Sequence, residues 1–208
     1  MVLSEQDILK RLMGQRDRVS AAAWLVVRDA HAAEDFDWWS GRIGAILEQV
    51  DVLRLDHFRG FEAYWSVPHG SEDARPGQWL KGPGQALFDA LERRHGAVRW
   101  VAEDLGLLDE RVHALRDGLG APGISVLQFG FGADGDANHR PGSVEEHRLA
   151  VTGTHDNDTV MGWWSSLCDA DQDEVSAAIP LDPQAPAEAL VREVLNSRAD
   201  TAIVPIQD

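Results

Sequence analysis

The stretch Val50-Asp51-Val52-Leu53-Arg54-Leu55, followed at once by Asp56 and His57, decides how this chain is read. A short run of β-branched and aliphatic residues reads as a β-strand. A carboxylate and an imidazole stand where that strand stops. The arrangement recurs downstream. Val98-Arg99-Trp100-Val101-Ala102 reads as a strand and runs into Glu103-Asp104. Ile124–Phe129 reads as a third strand and contains Gln128. Leu149–Thr152 is a fourth, followed by His155-Asp156, and Ala202–Pro205 is a last one.

Helical spacing fills the gaps. Trp38, Ile43, Ile46 and Leu47 predict a helix within Phe36–Gln49, and Ala86, Leu87, Ala90 and Leu91 predict one over Gly84–His95, opened by the turn Gly82-Pro83-Gly84. Leu108–Leu119 is a further helix, ended by Gly118 and Gly120, and Glu188–Ser197 another, after a linker holding Pro180, Pro183 and Pro186. Residues 8–27 read as one or two short helices, with Ser4 and Asp7 spaced to cap the first. Strands alternating with helices predict an α/β chain with a parallel sheet. Both a (β/α)8 barrel and a doubly wound sheet place functional groups at the C-terminal strand ends. Periodicity does not separate the two.

Composition narrows the function. The chain has 208 residues and 44% hydrophobic content, enough for one domain with a core. Its net charge of −16 repels phosphate backbones, so no nucleic-acid partner is expected. No apolar run has the length of a membrane span and no secretory signal core is visible, so no membrane partner is expected and the cytoplasm is the expected compartment. Cys168 is the only cysteine, which rules out an intrachain disulfide and argues against a cysteine metal site. Eight tryptophans suit a neutral ligand with apolar ring faces, such as a sugar, although any single one is better read as core.

Asp56, Glu103 and Asp156 are the residues that carry chemistry. Glycoside transfer needs one carboxylate to attack the anomeric carbon and a second to protonate the leaving oxygen. A third stabilises the cationic transition state. Asp104 and Asp158, taken singly, are better read as helix caps. Arg54 lies two residues before Asp56, on the same side of a strand, and is expected to pair with it. GFGADGD at Gly130–Asp136 lacks the ligand spacing of a calcium loop and reads as a loop, and Asn138-His139-Arg140-Pro141 reads as another, a candidate to lie near the substrate.

These residues sit in recognisable contexts. LRLDHFRGFEAYW at Leu53–Trp65, WVAEDLG at Trp100–Gly106 and VTGTHDNDTVMGWW at Val151–Trp164 resemble, in order, three segments of the amylomaltases, glycoside hydrolase family 77. GQWLKGPGQALF at Gly77–Phe88, PGISVLQFGF at Pro122–Phe131 and VPIQD at Val204–Asp208 also resemble that family. The resemblance runs from about Asp29 to the C-terminus. It implies a partial (β/α)8 barrel over residues 29–208, corresponding to strands 4 to 8. Residues 1–28 are an N-terminal segment outside it.

Carried over, the resemblance makes Asp56 the nucleophile, Glu103 the general acid/base and Asp156 the transition-state stabiliser. Arg54, His155, His57, Tyr64 and Trp65 become substrate-binding residues, with no metal and no cofactor. The implied activity is 4-α-glucanotransfer between α-1,4-glucans and maltooligosaccharides by double displacement. An α-amylase-type hydrolase and an inactive glucan-binding remnant are the alternatives. Strands 1 to 3 of the family pattern have no counterpart in the sequence. A marginally stable chain of little activity, with self-association through open barrel edges, is therefore expected.

Overall fold

A computed structural model describes residues 29–208 apart from His69 and Leu107. The helices expected over residues 8–27 lie outside the described residues. The chain divides into two compact units. One takes the described residues up to Leu53, with His57–Arg99 and Leu108–Leu115; the other takes Arg54–Asp56, Trp100–Leu107 and Arg116–Asp208.

In the first unit, helix α1 is Asp37–Leu47, a short helix α2 is Arg59–Glu62, and strands β2 (Ala63–Ser66) and β3 (Gln78–Lys81) form an antiparallel hairpin. Helix α3 is Gln85–His95. It starts after Gly84, at φ 56°, and stops at Gly96, at φ 74°, both backbone conformations that glycine adopts without steric cost. Its buried residues Leu87, Phe88, Ala90 and Leu91 form one stripe, while Arg93, Arg94 and His95 face the negative end of the helix dipole. Phe58, Phe61 and Phe88 stack into a triad with ring centroids 5.4–6.0 Å apart. His95 Nε2 lies 2.8 Å from Ser40 Oγ on α1. Gly44 leaves room for that imidazole, since a Cβ there would stand 2.8 Å from His95 Cε1.

The second unit is built on a five-stranded sheet. Its strands are β1 (Leu53–Leu55, of which Leu53 belongs to the first unit), β4 (Trp100–Ala102), β5 (Gly123–Val126), β6 (Arg148–Val151) and β7 (Thr201–Ile203). Their order is β1-β4-β5-β6-β7, and β4 through β7 pair in parallel. The order never reverses. A doubly wound sheet reverses at its switch point, so this is the barrel pattern, a partial (β/α)8 barrel.

All four residues of β5 are buried, as expected of a strand covered on both faces. Leu149 and Val151 pack with Ile124 and Val126 on one face. Ala150 points the other way, toward a core of Val160, Trp164, Val175, Leu190 and Val194. Three helices supply that core: α5 (Val160–Ser166), α6 (Asp169–Ala178) and α7 (Pro186–Leu195). Helix α4, Glu110–Gly118, connects β4 to β5.

The structure revises several boundaries. The first strand starts at Leu53 rather than Val50, because the ladder begins with Leu53 N–H donating to Arg99 O, and Val50 and Val52 are exposed. The third strand stops at Val126, whose partner Val151 is the last residue of β6; beyond it Leu127–Gly130 turns into a 3-10 helix. The β2–β3 hairpin, α5 and α6 were not read from sequence. Helix α6 buries only Val175, too little apolar surface to show a period.

Candidate functional site at the strand ends

Asp56 follows β1, Glu103 follows β4 and Asp156 lies in the loop after β6. All three belong to the second unit and leave the C-terminal ends of its parallel strands. β1 and β4 are neighbours, and Glu103 N–H donates to Leu55 O at 2.9 Å. Adjacent strands lie about 4.8 Å apart, the scale of separation a retaining carboxylate pair needs.

The expected pairing of Arg54 with Asp56 is present: Nη1 stands 2.7 Å from Oδ1. The Asp56 side chain is 72% exposed, so its orientation rests on that guanidinium rather than on burial. Glu103 is half-buried, and its Oε1 accepts from Leu105 N at 3.1 Å. His155 Nε2 lies 3.3 Å from Asp156 Oδ2, with the two side chains 71% and 80% exposed.

A pocket of about 660 Å³ opens at this edge. Arg54, His155, Asn157, Asp158 and Asp208 supply its polar lining, and Ile124, Leu149, Val151 and Ile203 its apolar floor. A few aimed polar groups over an apolar floor is the usual make-up of a ligand site.

The remaining expected residues belong to the first unit. His57 lies in the turn after β1, at φ 48°. Tyr64 and Trp65 lie on β2. The Tyr64 hydroxyl is buried and has no hydrogen-bond partner among the described residues. Trp65 is exposed, faces Trp79 across the hairpin with centroids 5.4 Å apart, and donates Nε1–H to Ala74 O at 3.0 Å. Of the described tryptophans, Trp100 and Trp164 are core residues, whereas Trp65 and Trp79 stand in solvent.

Asp104, expected as a cap, has another role. Its carboxylate is 1% exposed and receives Arg116 Nη1 at 2.5 Å, Arg148 Nη1 at 2.7 Å and Ile124 N–H at 2.8 Å. Burial works against the charge on Arg116, but its bonds to Asp117 and Asp104 outweigh that and raise its pKa above the usual arginine value. Gly123 makes this network fit: a Cβ there would lie 2.2 Å from Asp104 Oδ2. Asp158 is not the cap of α5 either; Thr159 Oγ1 fills that position, accepting from Gly162 N–H at 3.1 Å.

Sequence reasoning missed Asp208. Its Oδ2 accepts from Thr152 Oγ1 at 2.6 Å and its Oδ1 from Val160 N–H at 2.9 Å. Its place after a strand and at the end of the VPIQD segment hinted at a role. His139, in the loop after β5, closes a 3-10 turn over Ala137–His139. Its Nδ1 accepts from Val126 N–H at 3.2 Å, and burial holds its pKa below the ordinary imidazole value.

A parallel sheet wound in chain order, with three carboxylates and a pocket at its C-terminal edge, defines part of a glycosidase-type (β/α)8 barrel. The family model for 4-alpha-glucanotransferase, glycoside hydrolase family 77, matches residues 17–208, and the chain belongs to this family. A 4-alpha-glucanotransferase of Arabidopsis thaliana is 40% identical over 183 residues, 86% of this chain and 31% of that protein. One of Clostridium butyricum is 40% identical over 178 residues, 84% of this chain and 36% of its own length. The amylomaltase of Streptococcus agalactiae, solved in complex with acarbose, superposes with a TM-score of 0.80 at 34% identity, covering 86% of this chain and 37% of that one. The chain thus spans about a third of the length of these relatives.

Proposed function

We propose that this chain performs 4-α-glucanotransfer, moving α-1,4-glucan segments between maltooligosaccharides. The observation that carries the reading is the placement of Asp56 and Glu103 at the ends of neighbouring parallel strands, with Asp156 on the same sheet edge. Asp56 attacks the anomeric carbon while Glu103 protonates the departing glycosidic oxygen. An acceptor hydroxyl then displaces Asp56, returning its proton to Glu103. Asp156 stabilises the oxocarbenium-like charge. Arg54 orients Asp56, and His155 donates to hydroxyls of the sugar at the cleavage point. Within the first unit, His57 is a further candidate for holding sugar hydroxyls, and Tyr64 with Trp65 on β2 is a candidate sugar platform.

Incubation with maltotriose tests this. Glucose together with longer maltooligosaccharides, seen with the wild type and absent from Asp56→Asn, is the expected result. Glucose without longer products would make the chain a hydrolase. Maltooligosaccharide binding with neither product would make it a glucan-binding remnant.

Two further expectations belong to this reading. β1 and β7 are the edge strands of the described sheet, and self-association through them is read by sedimentation. A cytoplasmic location is read by fractionation; no described helix is long and apolar enough to cross a membrane.

A further inference from the structure

We propose that Asp208 and Gln128 are positioning residues that fix the loop Gly153–Thr159, and with it His155 and Asp156. The roles of those two residues rest on the function proposed above; the clamp itself rests on geometry alone.

Asp156 and His155 are largely exposed, so packing does not set their positions. The backbone that carries them must. That backbone is organised at two levels. Inside the loop, Asn157 Oδ1 accepts from both Thr154 N–H and Thr154 Oγ1 at 2.8 Å, Asn157 N–H donates to Thr154 O at 3.1 Å, and Asp156 N–H donates to Thr154 Oγ1 at 3.2 Å. This makes a self-contained turn, but nothing in it ties the turn to the sheet.

Asp208 supplies the tie. One carboxylate oxygen holds Thr152, the residue just before the loop, whose side chain is fully buried. The other holds the N–H of Val160, the residue just after it. A single side chain in the segment after β7 therefore pins both ends of the loop leaving β6. Gln128, at the end of β5, adds a third point: its Nε2–H donates to Asp158 O at 2.8 Å. Gln128 is buried and passes directly under Gly153, where a Cβ would stand 2.8 Å from its Nε2. Residues from three strand ends thus hold one loop. A misplacement of about 1 Å at a reacting group is enough for a hundredfold loss in rate.

The test compares Asp208→Ala, Asp208→Asn and Thr152→Val in the full chain by amide hydrogen exchange, together with maltotriose transfer. Asp208→Ala should speed exchange over residues 153–160 by about tenfold or more and leave α7 and β4 within about twofold. Asp208→Asn should stay near wild type, because its amide oxygen still accepts from Val160 and its NH2 donates to Thr152 Oγ1. Transfer should fall in kcat by about 10–100-fold for Asp208→Ala with KM nearly unchanged. Thr152→Val removes one tie only and should loosen the N-terminal half of the loop. Unchanged loop exchange in Asp208→Ala overturns the proposal. So does a uniform rise across the whole chain that Thr152→Val reproduces without preference for the loop. An inactive wild type counts against the proposed function, and the exchange comparison then decides the clamp alone.

Discussion

Two layers of carboxylates stand at the same sheet edge and do opposite work. At the rim, Asp56 and Asp156 are 72% and 80% exposed and each touches one cationic or ionisable partner. By contrast, Asp104 is buried and takes three donors, and the half-buried Asp208 takes two, one from each end of one loop. The same side chain is left reactive when its lone pairs face solvent, and becomes scaffold when they are all spoken for. The difference teaches that two exposed carboxylates are held in two ways: Asp56 directly by Arg54, and Asp156 through the backbone of a loop that Asp208 ties at both ends.

Asp56→Asn draws the line between the layers most sharply. Transfer from maltotriose should drop by about 10⁴-fold or more, while thermal stability changes by no more than about 0.5 kcal/mol, as for an exposed substitution. Asp104→Leu should do the reverse. It strands two half-buried guanidiniums, and urea denaturation should show a loss of about 3 kcal/mol. Equal stability losses in the two variants would erase the distinction.

His139 sharpens the comparison by titration. The folded state holds it below the ordinary imidazole value, because burial favours the neutral ring. Asp136 and Asp104 pull the other way, and Arg148 adds to the lowering. The unfolded chain therefore takes the proton first. His139's contribution is fully present above the unfolded value of about 6.5 and is lost as pH falls from there toward the folded value. Melting temperature measured across that window should decline, and His139→Gln should flatten the part of the decline that this residue causes.

The smallest effect belongs to the hairpin of the first unit. Trp79→Ala removes the edge-to-face partner of Trp65 and should cost about 0.5–1.5 kcal/mol in thermal denaturation. A larger loss would mean that the pair is core rather than surface.

The sequence by itself determined the strand–helix alternation, the carboxylates at the strand ends and the family to which they belong. These are local signals: a β-branched run that stops at Asp56, a helical stripe from Leu87 to Leu91, and contiguous motifs around Asp56 and Asp156. The Arg54–Asp56 pair was legible because a strand repeats every two residues. Only the tertiary structure decided that the sheet is wound in chain order, since periodicity carries no strand order. It alone showed that Asp104 is no helix cap but a buried carboxylate held by Arg116 and Arg148. It alone brought Asp208 to Thr152 and Val160, partners 56 and 48 positions away. A buried hydrogen bond is chosen by which groups the fold shuts away from water together, and no local pattern in the chain records that choice.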